Sequence, residues 1–330
     1  MTRRSITVVG CHAGGEVGNV VVDGVDPPPG ATVYEQMQAL AADDRLRHFL
    51  LREPRGSVAT HANLIVPATR EDCEAGYIVM EPTEYPEMSG SNTMCVATVL
   101  LETGRLEMHE PETVLRLEAP AGLVEIRATC RAGRVESVEL TNVPAVVAKL
   151  DATIDVEGIG AVTVDAAYGG MWYAIADARA LGFAIEPHEA RDLCDVGERI
   201  RVAARAQLDG RVSIVQIAEP WQGVGAVTKN AVVIAPGRLD RSATGTGLSA
   251  RMAVLHARGL MGVGDSMTHA SAIGSTFDGR IVAETSDGIV PAIRGSAWIT
   301  GVSELYVDDD DPFPEGYLLS DTWPGLDRQV

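Results

Sequence analysis

Apolar and β-branched residues dominate positions 5–9 and 19–25, and both stretches predict strands. The turn-rich run Pro27-Pro28-Pro29-Gly30 then interrupts regular structure. Over 34–51 the period becomes helical, with Met37, Leu40, Leu46, Phe49 and Leu50 on one buried stripe, and Arg52-Glu53-Pro54-Arg55-Gly56 ends it. Strands are expected at 63–66 and 77–80, followed by a helix that is apolar almost all round (Met94, Cys95, Val96, Ala97, Val99, Leu100, Leu101). Such a helix belongs inside a domain, not on its surface. From 113 to 150 the pattern is β, with Arg131-Ala132-Gly133-Arg134 as a hairpin turn. The later chain repeats this order of events. Strands at 153–164 and 172–177 precede a long helix over 188–208, entered through Pro187. Strands at 213–217 and 232–234 then lead to a second apolar helix over 248–258, and 279–307 is β again.

Each apolar helix is entered through a similar loop. The first loop is Met88-Ser89-Gly90-Ser91-Asn92-Thr93; the second is Ser242-Ala243-Thr244-Gly245-Thr246-Gly247. With Ser89 laid on Thr244, Gly90 falls on Gly245, Ser91 on Thr246, Ala97 on Met252, Leu100 on Leu255 and Gly104 on Gly259. Self-similarity of this kind points to two related halves. Hydroxyl and glycine residues at a helix start favour capping and close backbone approach, and a glycine past the end favours a left-handed C-cap. Two buried helix N-termini aimed at one place would offer free N–H groups and two positive dipole ends, which together make a receptor for a carboxylate. Ser89 and Thr244 would stand at its rim; for either loop alone, an ordinary capped core helix explains the pattern as well.

Composition narrows the class of partner. At 330 residues the chain suits two domains, and 46% hydrophobic content can fill their interiors. A formal charge of -19 opposes binding to nucleic acid or anionic membrane. The apolar part of the N-terminus, Ser5-Ile6-Thr7-Val8-Val9, is too short for a signal peptide's core, and no apolar run spans a bilayer. Five cysteines, Cys11, Cys73, Cys95, Cys130 and Cys194, lack metal-type spacing and read as reduced thiols of a cytoplasmic protein. The acidic run Asp308-Asp309-Asp310-Asp311 lacks the spacing of a calcium loop and reads as a solvated turn.

The run Asp240-Arg241-Ser242-Ala243-Thr244-Gly245-Thr246-Gly247-Leu248-Ser249-Ala250 resembles a signature of the proline racemase family, where a cysteine usually stands in place of Thr244. The first loop resembles that family's other active-site loop, with Ser89 in place of a cysteine and Ser91 in place of a histidine. Further matches are Cys11-His12-Ala13-Gly14-Gly15-Glu16, Tyr168-Gly169-Gly170-Met171-Trp172-Tyr173-Ala174-Ile175, Ile273-Gly274-Ser275-Thr276-Phe277 and Arg294-Gly295-Ser296-Ala297-Trp298-Ile299-Thr300-Gly301. The resemblance implies a diaminopimelate epimerase-like α/β (α+β) fold of two pseudo-symmetric halves. Each half would be a curved, mostly antiparallel sheet wrapped around its central helix, with the active site in the cleft between them. The halves are expected at 1–155 and 156–330, with the C-terminal strands able to return to the first.

The same resemblance implies a cofactor-independent enzyme, without a metal, acting on a proline-like amino acid as a monomer or homodimer. Gly90, Ser91, Gly245 and Thr246 would bind the substrate carboxylate, and Asp240 its ring ammonium. Cysteine-bearing members exchange protons across the α-carbon, which requires a proton-transfer group on each face. A threonine without an adjacent base serves that purpose poorly. The substitutions therefore point to dehydration of trans-3-hydroxy-L-proline to Δ1-pyrroline-2-carboxylate, with Ser89 as the base on one face and Thr244 filling the other. A 4-hydroxyproline 2-epimerase or proline racemase is the alternative, and a non-catalytic binding protein for proline-like amino acids the third. Serine is itself a weak base that needs help; His12 and Glu16 are candidate helpers, and His61 reads as structural.

Overall fold

The computed structural model describes residues 4–208, 210–308 and 310–325, so Met1 to Arg3 and Asp309 of the acidic run lie outside the described residues. In chain order the elements are β1 (Arg4–Ala13), β2 (Glu16–Asp23), α1 (Val33–Ala42), α2 (Arg45–Leu51), β3 (Thr60–Val66), β4 (Ala75–Met80), α3 (Gly90–Glu102), β5 (Glu112–Ala119), β6 (Gly122–Arg131) and β7 (Arg134–Thr141). There follow β8 (Ala145–Val156), β9 (Gly160–Tyr168), β10 (Trp172–Asp177), a 3-10 turn at Pro187–Glu189, α4 (Ala190–Gln207), β11 (Ile214–Ala218), β12 (Val227–Ile234) and β13 (Arg238–Leu239). The last are α5 (Gly245–Ala257), β14 (Ser266–Ala270), β15 (Thr276–Glu284), β16 (Gly288–Gly295) and β17 (Ala297–Val307). The chain divides into two compact units, Met1–Leu140 with Ser296–Val330, and Thr141–Gly295.

In the first unit the strands pair in the order β17-β1-β2-β3-β4-β5-β6-β7, parallel at β2–β3 and β4–β5 and antiparallel elsewhere. In the second the order is β8-β9-β10-β11-β12-β14-β15-β16, parallel at β10–β11 and β12–β14 and antiparallel elsewhere. The two series of pairings are identical, which gives the internal sequence repeat its structural basis. The second sheet also pairs its two ends, β8 with β16, and so β8 belongs with the second unit.

Alternation along the strands separates two layers in each unit. On β3, Ala62, Leu64 and Val66 join Met37, Leu40, Phe49 and Leu50 of α1 and α2, whereas Asn63 bonds to α3. On β11, Val215 and Ile217 join Leu193 and Ile200 of α4, whereas Ile214 packs with Ala250 and Val254 of α5. The central helices α3 and α5 are buried almost throughout, because each packs against several strands of its own sheet.

Three boundaries differ from the sequence pattern. The helix expected over 34–51 is two helices, broken at Asp43 and Asp44. Aspartate competes with the helix by forming local side-chain bonds: Asp43 accepts from Arg45 at 2.6 Å, and Asp44 accepts from Arg47 and, at 2.7 Å, from the Tyr85 hydroxyl. The strand expected over 153–164 is the junction of β8 and β9, turned at Gly158 and Gly160 with positive φ. The central helices begin at Gly90 and Gly245, earlier than their apolar runs, because tertiary bonds hold residues of low helix propensity in the first turn. Their C-termini match closely: Gly104 and Gly259 both have φ of +70°, and the Arg105 and Leu260 N–H groups close back on Leu100 and Leu255 at 2.9 Å. Among the described residues no helix is long and apolar enough to cross a membrane.

Candidate active site

Ser89 is the N-cap of α3, in extended conformation, yet its hydroxyl does not cap the helix. The Ser89 Oγ instead accepts from Asn92 Nδ2 at 2.9 Å. The same Nδ2 lies 3.1 Å from His61 Nδ1, and His61 Nε2 lies 3.3 Å from Glu16 Oε1. Asn92 is pinned from its other end, since its Oδ1 accepts from Asn63 Nδ2 at 2.9 Å. All four supporting residues, Glu16, His61, Asn63 and Asn92, are buried. At Gly18 a Cβ would stand 2.8 Å from Asn92 Oδ1, so the strand behind the network must carry glycine. In the first turn Thr93 Oγ1 donates to the Ser89 carbonyl at 2.7 Å and bonds the buried Tyr77 hydroxyl at 2.5 Å. Burial pushes the Tyr77 phenol up to about 12, so it is neutral there.

Thr244 is the N-cap of α5 and takes φ 57° and ψ 99°. A β-branched residue with positive φ is strained by about 1–3 kcal/mol, and such strain persists only where its surroundings impose it. The surroundings here are one carboxylate and one hydroxyl: Thr244 Oγ1 donates to Asp240 Oδ2 at 2.8 Å, Asp240 Oδ1 accepts from the Ser242 N–H at 2.8 Å, and the Thr244 N–H donates to Ser242 Oγ at 3.1 Å. The expectation that Thr244 lacks an adjacent base is therefore overturned. The four-residue spacing placed Asp240 beside the loop without revealing that the chain folds back onto the threonine hydroxyl.

The remaining candidates fall around these two residues. Gly90 and Gly245 are the first residues of their helices, where backbone N–H groups have no partner within the helix. Ser91 and Thr246 follow them and are buried. Thr246 Oγ1 bonds the Tyr173 hydroxyl at 2.7 Å, which gives one aromatic residue of the 168–175 motif a place at the helix start. Gly169 explains the double glycine, since a Cβ there would lie 2.3 Å from the Thr246 carbonyl oxygen and 2.4 Å from the Ala250 nitrogen. Glu16 and His61 join the Ser89 network; His12 does not. His12 Nδ1 accepts from the Gly15 N–H at 3.2 Å, and its ring stacks on Trp298 at 5.3 Å.

Several residues here carry no motif signal of their own: Asn92, Asn63, Gln216 and Asn230. Gln216 leaves one legible trace, as the polar residue of the otherwise apolar β11, whereas Asn63 shares β3 with Thr60 and His61. Behind the Thr244 loop, Asn230 Nδ2 donates to the carbonyls of Ala243 and Ala270, each at 3.3 Å. The adjacent His269 is fully buried, and burial, with the positive charge of Arg251 adding to it, pushes its pKa down to about 3.

The sequence matches the protein family described as proline racemase over residues 8–318. A hydroxyproline epimerase from Agrobacterium vitis, solved with bound trans-4-hydroxy-L-proline, is 38% identical over the full length of both chains, with a TM-score of 0.91. A probable proline racemase from Agrobacterium radiobacter K84, solved with bound carbonate, is 38% identical over 98% of this chain and all of the other, with a TM-score of 0.92. A Bacillus anthracis phenazine biosynthesis protein of the PhzF family shares the fold at 14% identity, covering 93% of this chain and all of its own, with a TM-score of 0.64.

Proposed function

Because the chain belongs to the proline racemase family, we propose that it is a hydroxyproline 2-epimerase, inverting the α-carbon of a 4-hydroxyproline by proton transfer. The observation that carries this reading is the 2.8 Å bond from Thr244 Oγ1 to Asp240 Oδ2. A lone threonine is a poor base, but a threonine already bonded to a carboxylate can accept one proton while passing its own along. No free alkoxide then has to form on that side. The reading requires Ser89 and Thr244 to act on one substrate molecule, one on each face of its α-carbon. It also requires Gly90, Ser91, Gly245 and Thr246 to bind its carboxylate through the N-terminal N–H groups of α3 and α5, since helix dipoles favour negative charge there. The relative crystallised with trans-4-hydroxy-L-proline supports this choice of substrate.

A second reading is the dehydration of trans-3-hydroxy-L-proline, and the same Thr244–Asp240 pair favours it. In that substrate the α-hydrogen and the 3-hydroxyl share a face. One relay could take the α-proton and return it to the departing hydroxyl, with no proton needed from Ser89. The assignment of roles then reverses the one expected from sequence: the carboxylate stands behind Thr244, and Ser89 has an amide behind it, which cannot take up a proton. A proton NMR time course in deuterium oxide separates the readings, with trans-4-hydroxy-L-proline, trans-3-hydroxy-L-proline and L-proline each incubated alone. Deuterium at C2 of the 4-hydroxy compound with inversion is the expected result. Consumption of the 3-hydroxy compound to a cyclic imine, without inversion of the other two, would replace epimerisation by dehydration.

A further inference from the structure

We propose that the two loop hydroxyls are wired with opposite polarity, Thr244 as proton acceptor and Ser89 as proton donor, and that Asp240 and Asn92 are the positioning residues that impose it. The consequence for turnover rests on the epimerase reading above; the wiring itself stands on each loop separately.

The polarity follows from which groups can donate. At Thr244 the partner is a carboxylate, which only accepts while ionised, so the threonine hydrogen points to Asp240 and its lone pairs point elsewhere. The Ser242 N–H bonded to Asp240 Oδ1 favours that ionised form. At Ser89 the partner is an amide nitrogen, which only donates. Asn63 fixes this orientation of Asn92, because its own NH2 must face the amide oxygen and not the amide nitrogen; Asn63 also donates to the Asn19 carbonyl at 3.2 Å. The Ser89 oxygen is thus an acceptor toward Asn92, and its hydrogen is turned away from the network. His61 Nδ1 lies 3.1 Å from the Asn92 NH2 and 3.7 Å from Glu81 Oε1, and Nε2 lies 3.3 Å from Glu16 Oε1; with the second amide hydrogen on the Nδ1 lone pair, the ring proton sits on Nε2, facing Glu16.

On the epimerase reading, the α-proton leaves toward Thr244. The Cα–H bond breaks as a bond to Oγ1 forms, and the Oγ1 hydrogen passes to Asp240 Oδ2. The electron pair of the C–H bond delocalises into the substrate carboxylate. The Ser89 O–H bond then breaks as a C–H bond forms on the opposite face, and the serine alkoxide is held by the Asn92 N–H and the positive end of α3. The cycle closes when Asp240 gives one proton to water and Ser89 takes one back.

The test scores α-proton loss and C2 inversion separately, with trans-4-hydroxy-L-proline in deuterium oxide. Asn92→Ala should lower inversion by about 100-fold while α-proton loss persists, with KM changed by no more than about twofold. Asn92→Asp should behave in the same way, since it keeps the shape and removes the donor. Asp240→Asn should lose both signals by about 100-fold or more. Parallel loss of exchange and inversion in the Asn92 variants, or exchange that survives in Asp240→Asn, would overturn the proposal. Nitrogen-15 spectra of histidine-labelled wild type, with His61 assigned through His61→Gln, provide a readout independent of turnover. A ring proton on Nδ1 of His61 overturns the wiring even in an active enzyme. A proton on Nε2 in a protein inert toward the substrate supports the wiring and overturns the epimerase reading instead.

Discussion

In the first unit the residue three places after the loop hydroxyl is Asn92, held by Asn63 of β3. In the second unit the corresponding residue is Gly247, and the matching strand carries the longer Gln216, whose Nε2 would stand 3.0 Å from a Cβ at Gly247. Four places before the hydroxyl the difference runs the other way. Asp240 turns onto Thr244 at 2.8 Å, whereas Tyr85 turns away to Asp44 at 2.7 Å. One scaffold, with the same strand order and the same glycine-closed helix, thus presents a hydroxyl backed by a donor in one unit and a hydroxyl backed by an acceptor in the other. The difference costs no change in topology, because a pair of side chains at a helix start is enough to set the direction in which a hydroxyl can pass a proton.

The comparison can be broken most forcefully at Gly169. Its packing on the backbone of α5 leaves no room for a methyl group, so Gly169→Ala should destabilise the protein by about 3 kcal/mol, read as a shifted urea midpoint with the m-value unchanged. A smaller effect is expected from acid. The folded-state pKa of His269 is about 3 against an ordinary 6.5, so the unfolded chain binds a proton below pH 6.5 that the folded one refuses. The contribution of neutral His269 is fully present above pH 6.5 and is lost as pH falls toward 3; between pH 7 and 5 the loss should be about 2 kcal/mol. Urea titrations at both pH values should show a shallower pH dependence in His269→Asn than in wild type, and equal slopes would refute this account.

Thr244→Gly should sharpen the contrast between the loops. Relief of the positive φ should stabilise the fold by about 1 kcal/mol while activity is lost; Ser89→Gly, starting from an extended backbone at φ -147°, should give no such gain. Thermal melts of the two variants decide it. The smallest effect is expected at the buried tyrosines. Tyr77→Phe and Tyr173→Phe each remove one hydroxyl bonded to a first-turn threonine, and each should cost about 1 kcal/mol. Unequal losses would show that the two helix starts are not supported alike.

Much of the fold was legible along the chain. The two apolar helices, the glycines that close them and the hairpin at Arg131 to Arg134 were all marked by residues whose local preferences agree with their final conformation. The break at Asp43 and Asp44 was not, since it depends on Arg47 and Tyr85 competing for a carboxylate. Of the site, the loop residues Ser89, Gly90, Thr244 and Gly245 stood out because they repeat. Asn92 did not stand out: a lone asparagine after a serine has no signature until Asn63 and His61 are folded against it.

Sequence by itself determined the doubling of the chain, the buried central helices, the glycines at their ends and the family, since each of these is written in local pattern and order. Tertiary structure alone decided what stands behind each hydroxyl. Whether a serine or threonine is set to give or to take a proton depends on a partner brought within hydrogen-bond distance by the folded chain, and Asp240 reaches Thr244 only because the chain turns back through Ser242. Proton-transfer chemistry is fixed over distances of about 3 Å, and separation along the sequence does not determine which groups come that close.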